Sequence, residues 1–324
     1  MKFPVNVYLL TFAAAFFASF ASVPIWRAWC RRIGLVDDPG HRKIHHTPVP
    51  LAGGLAVFTG MAIPLLAGLA ALQLNLFETP TFDPLSYGFG KRTGQLAAIL
   101  VGAVGMLVIG LLDDKFELKP AVKFSGQIAV AMLVAAAGVR ITLFVPSIAF
   151  SYFITVFWIL TVINAFNFMD NMNGLCAGLG AIGALWLAII AAGLGQYLVA
   201  LLAFLGAGAL LGFLPYNYPK ASVFLGDAGS HLVGYLLAVL AILPHFYSKK
   251  NPSALAVITP LIVLAVPLLD MAWVVLLRTK MGKPFWIGDT NHLSHRLVRR
   301  GWTKERTVAW IWLLGAGLGA LSLL

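Results

Sequence analysis

An all-α, polytopic membrane protein with about ten transmembrane helices is the fold class this chain predicts, on three observations. Hydrophobic residues fill 60% of its 324 positions and charged residues 11%, whereas a soluble domain carries about 25% charged residues. Several uninterrupted apolar stretches are long enough to cross a hydrocarbon core, which takes roughly 20 helical residues. Lys and Arg gather on alternate loops. Lipid gives an exposed backbone amide no partner, so only helices or a closed barrel can span. The runs here are too long and continuous for barrel strands. Residues 1–324 read as one integral membrane domain.

Ten spans follow in order, at 5–26, 51–74, 94–112, 121–139, 148–166, 175–194, 196–214, 229–246, 253–276 and 305–324. The first apolar run, followed by "ASFASVP", has a faint signal-peptide look. Its length and the basic segment behind it favour a retained span. The short gap near Gly193–Gln196 makes spans six and seven a tight hairpin. The two cysteines, Cys30 and Cys176, lack metal-type spacing and fall beside the same face. No structural disulfide is implied.

Orientation follows from the cations. One set of loops (Arg27 to Lys43, Lys115 to Lys123, Lys220, Arg278 to Arg306) holds 17 Lys and Arg, and the other face six. The first set is therefore cytoplasmic and both termini point outward. This suits the plasma (inner) membrane, with the net charge of +11 directed at anionic lipid, not nucleic acid. Nine of the twelve acids lie on the same basic face. Anchoring needs cations but not acids, so an excess of both signs points to an active site there.

Five segments of that face are candidates. In "NAFNFMDNMNGL" (164–175), Asn164, Asn167 and Asn171 share one stripe if helical, and Asp170 lies close to it. A helix end capped by amides before an Asn-Gly turn needs one or two such residues. Five polar groups suit a water-filled pocket holding an ion or polar ligand. In "GLLDDKFELKPAVKFSGQ" (110–127), Asp113 and Asp114 end span three and Lys123 opens span four. The charges of such a hairpin could simply mark the membrane border. Yet acids at a helix C-terminus oppose its dipole unless a cation or donor-rich ligand offsets them. In "VFLGDAGSHLVG" (223–234), Asp227 reads equally as an N-cap between glycines and as a hard oxygen ligand at a helix mouth.

The basic loop 278–306 carries His292, His295 and Arg296. Lipid anchoring explains its charge but not its paired histidines. With no further Cys or His set to complete a zinc site, phosphate recognition fits better. The segment 35–56, with Arg42, Lys43 and three histidines, is by default a solvated loop, and adds a second cationic arm. Asp270, inside span nine, is the odd acid. Such a residue costs about 2.5–3.5 kcal/mol at a bilayer centre, so a polar interior is expected around it. Carboxylates and amides ringed by cationic loops suit a phosphorylated substrate bridged by Mg²⁺, with Mn²⁺ as the alternative. The reaction class is phosphoryl-type transfer at a membrane surface.

These residues resemble the polyprenyl-phosphate N-acetylhexosamine-1-phosphate transferases, and within them the bacterial undecaprenyl-phosphate GlcNAc-1-phosphate transferase branch. "DDPGHRKIHHTPVPLAGG", "GLLDD", "NAFNFMD", "FLGDAGS" and "HLSHRL" occur in the family's order over nearly the whole chain. The resemblance implies a Mg²⁺-dependent enzyme of cell-envelope polysaccharide synthesis. It would move a sugar 1-phosphate, GlcNAc-1-phosphate by the branch, from a UDP-sugar to undecaprenyl phosphate with release of UMP. A homodimer is compatible with it.

The resemblance makes Asn167 and Asp227 magnesium ligands and Asp113, Asp114, Asp170 and Asp227 the catalytic acids. It makes Lys43, Lys123, Asn164, Asn173, His292, His295 and Arg296 substrate contacts. Four positions depart from the family's pattern. "DNMNGL" stands for the usual Asp-Gly-x-Asp-Gly-Leu, so Asn171 replaces a glycine and Asn173 an acid. Ser294 stands where a third histidine is common, and Leu51 where an arginine is. The alternatives are the related phospho-MurNAc-pentapeptide transferase, a non-catalytic binder of lipid-linked sugars, and a secondary transporter. A transporter would place its polar residues near the midplane and within repeats.

Overall fold

The computed structural model describes residues 3–37, 47–74, 83–244, 246 and 254–323. They form twelve α-helices: α1 (Val5–Arg32), α2 (Gly53–Gln73), α3 (Asp83–Phe116), α4 (Pro120–Ala136), α5 (Ile148–Met169), α6 (Leu175–Gly193), α7 (Tyr197–Asn217), α8 (Gly226–Ile242), α9 (Thr259–Val263), α10 (Ala265–Lys280), α11 (Leu293–Arg299) and α12 (Lys304–Leu321). A 3₁₀ turn, Ala254–Ile258, precedes α9. Two short antiparallel strands, β1 (Val36–Asp37) and β2 (Val49–Pro50), pair Val36 with Pro50 and Asp37 with Val49.

The helix ends carry local signals. Ser147 caps α5 by accepting Phe150 N–H, and Thr303 caps α12 by accepting Arg306 N–H. Pro120 opens α4, where a missing amide proton costs nothing. Gly174 takes φ +76° in the turn between α5 and α6, a conformation that glycine adopts without steric cost.

Six helices are long and apolar enough to cross a membrane: α1, α2, α3 from Arg92 onward, α5, α6 and α7. The pair α9–α10, with the end of the 3₁₀ turn, makes a seventh only as one span bent by 71°. A single helix covers most of each of the expected segments except 253–276, which the 3₁₀ turn, α9 and α10 share, but α4 and α8 have 17 residues each, about 26 Å of rise. The physical reason is clearest in α8. All its residues except Asp227 and Ile242 are buried, so its length is matched to protein neighbours and not to lipid. It lies among α2, α3, α5, α6 and α7. Close packing rests on small residues: a Cβ on Gly54 would meet Gly229 N at 2.5 Å, and one on Gly234 would meet Ile163 Cα at 2.5 Å.

Candidate active site

The ends of four helices meet at one face. α3 finishes with Asp113 and Asp114, α4 begins near Lys123, α5 ends near Asn167, and α8 begins with Gly226 and Asp227. Lys123 Nζ lies 2.6 Å from Asp113 Oδ2 and 2.9 Å from Asp227 Oδ2. Asn167 Nδ2 donates to Asp227 Oδ1 at 2.7 Å and to Ser230 Oγ at 2.9 Å. Two acids, an amide and a lysine from four helices are thus joined within hydrogen-bond distance.

Asp114 is differently engaged. Its Oδ1 accepts Asp227 N–H at 2.7 Å and its Oδ2 accepts Ala228 N–H at 3.1 Å. These are amides of the first turn of α8, which have no partner within that helix. Asp114 therefore caps α8 across the bundle and positions Asp227. Gly226, at φ +73°, has no Cβ, and one there would stand 2.7 Å from Asp114 Oδ2.

Asp170 follows α5 at its C-cap and is half-buried. Desolvation first, then the negative charges of Asp227 and Asp114, push its carboxyl up to about 8. Because α5 stops at Met169, Asn171 does not continue the asparagine stripe expected from its spacing. It sits in the following turn, where its Nδ2 donates to Phe168 O at 2.6 Å and its Oδ1 accepts Ser294 Oγ–H at 2.7 Å.

A second polar layer lies one helical turn inward, and the sequence reading missed most of it. Asn164 Nδ2 donates to Leu160 O at 2.8 Å and to Gln127 Oε1 at 2.9 Å. Gln127 Nε2 faces His231 Nε2 at 3.3 Å. Gln127 and His231 are fully buried, and His231 Nδ1 has no hydrogen-bond partner among the described residues. The signal was spacing: Gln127 is four residues beyond Lys123 and His231 four beyond Asp227, hence on the same helix faces.

The basic loop is anchored from two sides. Asp270, 5% exposed, has Oδ2 2.6 Å from His292 Nδ1, and its Oδ1 accepts Leu293 N–H at 2.6 Å. The expectation of a polar surrounding for this acid is met by a partner 22 residues away. Arg278, buried, binds Asp289 Oδ2 at 3.0 Å and Phe285 O at 2.5 Å, with its guanidinium 4.8 Å from the Phe168 ring centre. Burial pushes the Asp289 carboxyl up, but the Arg278 hydrogen bond and charge, with the Asn291 amide, hold it below the usual range. His295 is held below its ordinary value by burial, then by neighbouring His292 and Arg299. Arg296 lies over the Trp273 ring at 5.1 Å.

Not every expected contact converges. Asn173 turns away, donating to Pro219 O at 3.1 Å. Asn164 belongs to the inner layer. Lys43 falls outside the described residues. Leu51 forms a parallel bridge with Phe224, and Gly53 and Gly54 donate to Phe224 O and Leu225 O, so the chain entering α2 lies along the Asp227 loop.

The donor set fits a hard divalent cation. One ligand atom each from Asp113, Asp227 and His231 lies within 4.8 Å of the others. A cationic group, Lys123 Nζ, already sits between the two carboxylates. Both contacts of Asn167 use Nδ2, which leaves Oδ1, the metal-binding end, outside them.

Residues 96–245, which contain this cluster, match the family model of glycosyl transferase family 4. The chain is 32% identical to a probable undecaprenyl-phosphate N-acetylglucosaminyl 1-phosphate transferase of Bacillus subtilis (strain 168), over 95% of this chain and 83% of the relative. It is 34% identical to the decaprenyl-phosphate N-acetylglucosaminephosphotransferase of Mycobacterium tuberculosis (strain ATCC 25618 / H37Rv), over 97% and 81%. Against the undecaprenyl-phosphate alpha-N-acetylglucosaminyl 1-phosphate transferase of Escherichia coli (strain K12) it is 28% identical, over 99% and 82%. With relatives of this likeness matching 95% or more of this chain and 81% or more of their own length, and with its acid cluster inside the matched segment, the chain belongs to glycosyl transferase family 4.

Proposed function

We propose that this protein transfers GlcNAc-1-phosphate from UDP-GlcNAc to undecaprenyl phosphate at the cytoplasmic face of the plasma membrane, releasing UMP. The observation that carries this reading is the junction of Asp113, Lys123, Asn167 and Asp227, with the cationic α11 tied to the adjoining turn. The distribution of Lys and Arg supports a cytoplasmic site and ten spans, with α4, α8, the bent α9–α10 pair and α12 completing the set.

A phosphate monoester has a second pKa of about 6, so the acceptor is already largely dianionic at neutral pH. An oxygen of that phosphate attacks the β-phosphorus of the donor. The new P–O bond forms as the bond from the β-phosphorus to the bridging oxygen of UMP breaks, and UMP leaves with the electron pair. The protein's task is to bring two anions together and hold them in line. Asp227 and Asn167, with Asp113, would hold Mg²⁺; when bound, it supplies charge neutralisation for the facing phosphates. Lys123 adds a fixed positive charge in the same cluster, and Asp114 keeps the first turn of α8 in place. On α11, Arg296 and Arg299 are cations, while His295, whose affinity for a proton burial lowers first, offers hydrogen bonds to a diphosphate or sugar.

The test is UMP release by the purified protein, with UDP-GlcNAc, undecaprenyl phosphate and Mg²⁺ each omitted in turn. Release that needs all three supports the reading and separates it from a transporter or a lipid-sugar binder. UMP release from UDP-MurNAc-pentapeptide but not from UDP-GlcNAc would move the assignment to the related cell-wall transferase.

A further inference from the structure

Asn171, in the turn after α5, and Ser294, on α11, touch each other. Ser294 Oγ donates to Asn171 Oδ1 at 2.7 Å, across 123 residues of chain. The sense of this bond is forced, because Asn171 Nδ2 is engaged by Phe168 O at 2.6 Å and only the carbonyl end remains. Ser294 is 1% exposed, so its hydroxyl has no solvent to fall back on if Asn171 is removed.

We infer that Asn171 and Ser294 form a latch that sets the placement of α11 against the Asp170 turn, and with it the fit of the sugar-nucleotide donor. Three successive residues are tied to two different elements: His292 and Leu293 to Asp270 of α10, Ser294 to the turn after α5. The next two residues, His295 and Arg296, are placed by these ties, with Arg296 over the Trp273 ring. Asn171 and Ser294 act through these groups and are positioning residues. The inference rests on the assignment of α11 to donor recognition.

A double-mutant cycle in the full-length protein tests it, with UMP release measured at varied UDP-GlcNAc and at varied undecaprenyl phosphate. Asn171→Gly and Ser294→Ala should each raise the donor KM about tenfold, and together no further, as expected when two residues share one interaction. The kcat and the acceptor KM should stay within about twofold, a split that general loosening of the fold would not give. Additive effects, or an acceptor KM that moves as much as the donor KM, would overturn the latch. Hydrogen exchange of the amides of residues 293–300 gives a readout independent of turnover: Ser294→Ala should speed it, and unchanged exchange also counts against the latch. If the wild-type protein releases no UMP, the assigned function fails, and exchange alone decides whether the contact holds α11.

Discussion

Lys123 is the residue on which the electrostatics of the site turns. Its ammonium stands between two carboxylates, and without it both would face each other partly desolvated. Lys123→Ala should therefore lower thermal stability by about 1–3 kcal/mol, allowing for the partial exposure of Asp227. Mg²⁺ should restore more of the melting temperature in this variant than in the wild type; an equal Mg²⁺ shift in both would count against the two cations sharing one field. Asp227→Ala should abolish UMP release at normal expression, and near-wild-type rates would refute its assignment. Asp170 adds a proton. With its carboxyl pushed up to about 8, it is largely protonated at pH 7, and a divalent cation nearby favours the ionised form. Binding Mg²⁺ at pH 7 should release protons, that of Asp170 among them, so affinity should rise with pH. Calorimetry in buffers of different ionisation enthalpy measures this, and Asp170→Asn should lower the proton release.

At the scale of elements, the contact between the end of α3 and the start of α8 decides whether the site exists. A Cβ on Gly226 would press on Asp114, and the backbone there has φ +73°; a Cβ on Gly110 would fall on the backbone of Ala228. Gly110→Ala should force α3 and α8 apart and cost about 1–3 kcal/mol. Its signature should be a fall in kcat larger than the fall in melting temperature would explain, since Asp114 would lose the α8 amides. Were activity and stability of Gly110→Ala both normal, this packing would not be what positions Asp227. The loop before α11 has its own anchor in Arg278. Asp289 has a depressed folded pKa, so its stabilising contribution is present above the unfolded value, about 3.9, and fades as pH falls through the lower folded value. Above pH 5 the loop should show no pH-dependent loosening from this source.

For the whole molecule, the ten-span reading with both termini outward makes a labelling prediction. Cysteine placed at Lys220, in the turn before α8, should react with a membrane-impermeant maleimide only from the cytoplasmic side. Cysteine at Val145, between α4 and α5, should react only from the opposite side. Reaction of both from one side would require a different threading. Because Cys30 and Cys176 are free and buried, they should give little background. The fold was legible where physics is local: the apolar runs mark the helices, and the amides before the Asn-Gly turn at Gly174 mark the end of α5. The acids of the site were legible too, since Asp113, Asp114 and Asp227 stand at helix ends where apolar burial cannot explain them.

Partnerships were not legible. Asn164, Asn167 and Asn171 look alike in sequence, yet one bonds the inner layer, one the acid cluster and one Ser294, because α5 ends between the second and third. Gln127 meets His231 across 104 residues and Asp114 meets the first turn of α8 across 113. By itself the sequence determined a helical membrane protein, the loops on which its charges collect, and the residue types of its candidate site. A spanning helix satisfies its own backbone within four residues, so that much is written locally. Only the tertiary structure decided that α8 is interior, that Asp114 holds the helix carrying Asp227, and that Asn171 answers Ser294. Those relations depend on how closely small residues let distant helices approach, a property of pairs of surfaces and not of any one stretch of chain.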